Sequence, residues 1–72
     1  MAVLSPAAPA MLTHRQREVA RLIARGLSNE EIARQLVLTP GTVGNHVGHI
    51  LRRLDARNRA QVAAWITEHD GG

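Results

Sequence analysis

The run from Thr39 to Leu54, TPGTVGNHVGHILRRL, constrains this chain more than any other stretch. Val43, Val47, Ile50, Leu51 and Leu54 recur at steps of three and four residues. At about 100° per residue that spacing gathers them on one side of a helix, and that side must turn inward to leave water. The opposite side holds Gly41, Asn45, Gly48, His49 and Arg52, flanked by Thr42 and Gly44. No bulky apolar side chain interrupts it, so it can meet a polar partner. Thr39 is placed to cap the start with its hydroxyl, and Pro40 falls at the first helical position, where a missing N–H is harmless. Such a helix needs a scaffold that buries one side and displays the other.

The remaining sequence reads as that scaffold. Thr13 and Gln16 have the spacing of a reciprocal cap at the head of HRQREVARLIAR, with Val19, Leu22 and Ile23 inward and Gly26 closing the helix. Arg15, Arg17, Arg21 and Arg25 form a solvated face, from which one or two near the helix ends could reach phosphates. Ser28 and Glu31 repeat the reciprocal cap, with Ile32, Ala33 and Leu36 inward. This second helix stops around Val37 to Leu38, and Thr39 caps the third almost at once. Helices joined by so short a turn cross rather than lie side by side, which is helix-turn-helix geometry.

After the polar break at Asp55 to Asn58, Asn58 and Gln61 repeat the capping pattern before a final helix from Arg59 to His69. That helix carries Val62, Trp65, Ile66 and several alanines. Trp65 is expected over the core, and the small residues beside it leave room for a second copy. Residues 1–11, with Pro6 and Pro9, read as a flexible linker or tail, either a tether to an upstream domain or a plain unstructured start. Residues 12–70 are the folded domain, frayed from Asp70 onward. The expected fold class is all-α, a four-helix bundle-like domain containing a helix-turn-helix.

Composition bounds the function. Seventy-two residues make one domain near the lower limit for a self-sufficient core, and without cysteine it must hold by packing alone. The net charge is +3, and all nine basic residues are arginine. Guanidinium forks match phosphate geometry, so the balance suggests a polyanion, although a highly soluble helical domain would have the same composition. No apolar run approaches bilayer length and no basic secretory segment opens the chain. The expected setting is therefore soluble and cytoplasmic, with no membrane partner.

Glu30 and Glu31 are helical neighbours pointing about 100° apart and cannot act as a carboxylate pair. No serine has a histidine and carboxylate at a recognisable activating spacing. His46 and His49 lack a third ligand nearby, so neither a metal site nor a cofactor is expected, and the chain does not read as an enzyme.

The stretch from Leu12 to about His69 resembles the DNA-binding domain of LuxR-type (NarL/FixJ, GerE) transcription regulators. The resemblance rests on Leu12-Thr13, Arg17-Glu18-Val19, Gly26-Leu27-Ser28-Asn29, Glu31-Ile32-Ala33, Thr42-Val43, His46, Ile50, Leu54 and Asn58-Arg59, in order and nearly without gaps. It implies a four-helix domain whose third helix enters the major groove of double-stranded DNA. The fourth helix would then form a homodimer on an inverted repeat, through Val62, Trp65 and Ile66. RNA polymerase is a further candidate partner. His46 matches a position that is commonly histidine in the family, suiting it to packing with a phosphate contact.

The family usually carries lysine after the Thr-Val pair and often another basic residue four positions later; here Gly44 and Gly48 stand instead. Three glycines in the helix, with Gly41, should weaken it by about 2–3 kcal/mol relative to alanine. Their absent side chains could let the backbone sit deeper in the groove, making Asn45 the reader of an adenine edge. Thr42, Arg52 and Arg53 would hold phosphates, with Thr39 and His49 completing the expected surface. Two other readings fit the same residues: a protein-interaction domain that kept the scaffold and lost DNA affinity, and a promoter-binding module like sigma-factor region four, suggested by RQREV, EIA and GTV.

Overall fold

Each helix begins where a side chain satisfies N–H groups that a helix start leaves unpaired. The computed structural model describes residues 12–69 and contains α1 (His14–Ala24), α2 (Asn29–Leu36), α3 (Pro40–Leu54) and α4 (Arg59–His69). At α1 the reciprocal cap forms as expected: the Gln16 N–H donates to Thr13 Oγ1, and the Thr13 N–H to Gln16 Oε1, both at 3.1 Å. Ser28 and Glu31 form the same pair at α2, at 3.1 and 2.8 Å. Thr39 caps α3 through the Thr42 N–H at 3.1 Å. At α4 the Asn58 Oδ1 accepts from the Gln61 N–H at 3.0 Å, but Gln61 reaches back to the Arg57 N–H, at 2.7 Å, rather than to Asn58 itself. The linker expected over residues 1–11 and the frayed end at 70–72 lie outside the described residues.

The first three helices end alike. The Leu27 N–H donates to the Leu22 carbonyl at 3.2 Å, the Leu38 N–H to Ala33 at 2.8 Å, and the Ala56 N–H to Leu51 at 2.9 Å. Each bond spans five residues around a left-handed one, at Gly26 (φ 90°), Val37 (φ 59°) and Asp55 (φ 55°). Leu27, Leu38 and Ala56, just past these turns, pack partly buried against the core, the apolar contact that accompanies such closures.

Val37 is the misfit among the three. A β-branched residue in the left-handed region is strained, and its side chain, 88% exposed, gains nothing from burial. Replacing it with glycine, Val37→Gly, relieves more strain than the added unfolded-state freedom takes back. We expect a gain of about 1 kcal/mol, read as a rise of about 5 °C in Tm by circular dichroism.

One core joins the helices. Leu12, Val19, Ala20, Leu22, Ile23, Ile32, Ala33, Val43, Val47, Ile50, Val62 and Ile66 are buried together. The inward residues read from periodicity in α1 and α2 are buried, except that Leu36 is only partly covered; Gln16, the capping partner, is buried as well. The longest seam runs between α1 and α4, while α3 packs against α1, α2 and α4. Val43, Val47 and Ile50 fill the centre of its inner side, with Leu51 and Leu54 half-buried at its edge. Burying three such side chains contributes about 1.5–3 kcal/mol each, more than the three glycines of α3 take away. Packing therefore holds α3 despite its poor intrinsic propensity.

Candidate nucleic-acid interface

With its inner side committed to the core, α3 presents a polar strip. Gly41, Asn45, His49, Arg52 and Arg53 are exposed; Thr42, Gly44, His46 and Gly48 are half-buried along its borders. At about 1.5 Å per residue the strip from Gly41 to Arg52 is about 16 Å long. None of its side chains is large and apolar, so the strip suits a polar partner.

Its first turn is braced by two threonines. The Thr39 hydroxyl accepts from the Thr42 N–H and donates to Thr42 Oγ1 at 2.9 Å. Thr39 is therefore occupied as the cap, and the Thr42 hydroxyl, having accepted, keeps its own proton for an acceptor outside. Farther along, an Arg52 Nη2 lies 3.3 Å from His49 Nδ1, and because a guanidinium only donates, the ring nitrogen is the acceptor of this contact. Arg52 thus leans back along the helix instead of extending radially.

That lean bears on the glycines. A Cβ built on Gly48 would have Arg52 Nη1 as its nearest neighbour at 3.9 Å, and one on Gly44 would have Asn29 Nδ2 at 4.0 Å. Both gaps are bordered by polar nitrogen atoms, one from α3 itself and one from α2. The absent side chains leave space, and nitrogen donors stand at its edge. His46 and His49 have no cluster to join: among the described residues, no three His, Cys, Asp or Glu side chains are grouped to hold a metal ion.

Two residues that the sequence did not single out for this surface meet behind it. Arg59, at the start of α4, donates from Nη1 to Asn29 Oδ1 at 2.6 Å and from Nη2 to the Leu27 carbonyl at 2.7 Å. Both residues lie within motifs noted in the sequence, but their pairing spans 30 positions, beyond the reach of local spacing.

The last helix changes the expected dimer contact. Val62 and Ile66 are 0% and 3% exposed within a single copy, because α4 lies along α1 and both side chains enter the core. They have no surface left for a second chain. Trp65 is partly buried against the core, and its ring stacks on His69 at 4.5 Å between centroids. Ala60 and Ala64 remain exposed on α4. Among the described residues, no helix is long and apolar enough to cross a membrane.

Comparison with known proteins agrees with this architecture. Residues 10–66 match the family described as "Bacterial regulatory proteins, luxR family". The chain is 44% identical over 55 residues to the nitrate/nitrite response regulator protein NarL of Escherichia coli K12, a match covering 76% of this chain and 26% of that protein. It is 42% identical over 60 residues to the response regulator protein VraR of Staphylococcus aureus, covering 83% of this chain and 29% of the relative. A probable csgAB operon transcriptional regulatory protein of Salmonella typhimurium is 35% identical over 60 residues, covering 83% of this chain and 28% of the relative. The chain therefore spans little more than a quarter of these relatives' length. With the matched family model covering all four helices but the last turn of α4, this chain belongs to the luxR family of bacterial regulatory proteins.

Proposed function

We propose that residues 12–70 form the C-terminal output domain of a bacterial transcription regulator, which binds double-stranded DNA with sequence preference through α3 in the major groove. The single observation that carries this is the polar strip of α3, backed by the buried Val43, Val47 and Ile50. The B-DNA major groove, about 12 Å wide, admits one α-helix, and its base edges and flanking phosphates offer polar partners to such a strip. Asn45 donates and accepts at once, suiting it to adenine N6 and N7. Thr42, Arg52 and Arg53 take phosphates, with His46 and His49 at the borders. Gly44 and Gly48 let the helix backbone approach the base edges. A second copy binds the other half of an inverted repeat and meets the first through the outer side of α4, at the exposed Ala60 and Ala64 and the uncovered part of Trp65. Residues 1–11 serve as the linker from an upstream domain.

Selection of bound duplexes from a random pool, followed by a salt titration, tests this directly. A palindromic consensus is expected, and log K should fall linearly with log salt at about 0.9 per phosphate neutralised. Arg52→Ala should reduce that slope by about one unit, with little change in base preference. If the folded domain shows no attraction to any duplex at low ionic strength, the strip serves a polypeptide partner instead.

A further inference from the structure

We infer that Asn29, a residue of α2, donates a hydrogen bond to the DNA backbone beside α3, and that Arg59 of α4 holds it in position to do so. This rests on the DNA-binding reading above and adds a contact outside the reading helix.

The orientation of the Asn29 amide follows from its partner. A guanidinium can only donate, so the amide atom 2.6 Å from Arg59 Nη1 must be the oxygen. The Nδ2 group then points the other way, to within 4.0 Å of where a Cβ on Gly44 would stand. Among the described residues nothing accepts from Nδ2, although its amide is half-buried and fixed on the oxygen side. Gly44 borders the exposed strip, next to Asn45. A long side chain at residue 44 would start beside the Asn29 donor and cover it, whereas glycine leaves it open.

A fixed, neutral donor at the rim of a groove-binding helix selects for an acceptor, and the acceptors flanking the groove are phosphodiester oxygens. Arg59 is committed through both Nη atoms, to Asn29 and to the Leu27 carbonyl, so its effect reaches DNA through Asn29. It is a positioning residue, tying the start of α4 to the edge of the DNA surface.

The test uses the full chain and a duplex taken from the selection above. In 15N–1H spectra, the side-chain NH2 pair of Asn29 should shift on addition of duplex. Asn29→Asp keeps an acceptor for Arg59 and removes the donor, so Tm is held or raised while affinity falls at least tenfold. Asn29→Ala should lose about tenfold on the selected and on unrelated duplexes alike, with the wild-type salt slope, because no charge is removed. Arg59→Gln should reproduce that loss, and the double variant should be no weaker than the weaker single variant, as for two residues acting through one contact. Wild-type affinity in both Asn29 variants, with an unmoved NH2 pair, would overturn the inference and leave Asn29 as a structural acceptor only. If the wild-type chain binds no duplex, the DNA-binding reading itself falls, an outcome the wild-type titration reveals before any variant is made.

Discussion

Replacing Ile50 with alanine removes about 3 kcal/mol of stability and lowers Tm by about 15–20 °C. Ile50 is wholly buried, near the middle of the inner side of α3. Truncation both forfeits its transfer from water and leaves a cavity that rigid helices close only in part. A domain of this size carries roughly 4–10 kcal/mol in total, so the loss takes about three tenths to three quarters of it. Urea unfolding followed by circular dichroism measures the change, and Ile50→Val should lose only about 1 kcal/mol. Because the polar strip is displayed only while its reverse side is packed, duplex affinity should fall with the folded fraction and recover when low temperature restores folding. A midpoint unchanged by Ile50→Ala would mean that α3 is not held as described.

The second large effect has the opposite sign. Gly44→Ala and Gly48→Ala together should raise Tm by about 10 °C. Each glycine lies inside α3 and weakens it by about 0.8–1 kcal/mol relative to alanine, so the pair returns nearly 2 kcal/mol. Nothing steric opposes the gain: the nearest atoms to the new methyl groups stand at 4.0 and 3.9 Å, ordinary contact distances. The functional outcome separates from the thermal one. If the two glycines serve close approach to the groove, affinity for the selected duplex falls while stability rises. Equal or tighter binding would remove that role from Gly44 and Gly48, and a Tm that failed to rise would count against the helical surroundings assigned to both.

Duplex affinity in these variants should be read alongside the contribution of Arg52. Its guanidinium borders Gly48 and contacts His49, so a methyl at residue 48 meets a polar neighbour already in place. The contribution of Arg52 to the salt slope should therefore survive Gly48→Ala, since at 3.9 Å the methyl makes an ordinary contact and displaces nothing.

Much of this protein is written in short-range terms that a sequence displays. Thr13 with Gln16, Ser28 with Glu31, and Thr39 with Pro40 mark helix starts because a capping bond spans only three residues. Gly26 marks a stop because the left-handed turn after α1 favours it. The spacing of Val43, Val47 and Ile50 identifies the inner side of α3, since a helix repeats its direction every three to four residues. Periodicity alone could not say what a buried face is buried against. The resemblance made Val62 and Ile66 dimer contacts, whereas with α4 laid along α1 both side chains are buried within one copy. Val37 likewise carried no mark of a left-handed turn, because the closure of α2 onto α3 imposes that conformation on a residue that disfavours it. The link from Arg59 to Asn29 and Leu27 joins segments 30 and 32 positions apart. Hydrogen bonds at that separation depend on how helices pack, so the tertiary structure alone decided which donor stands beside Gly44.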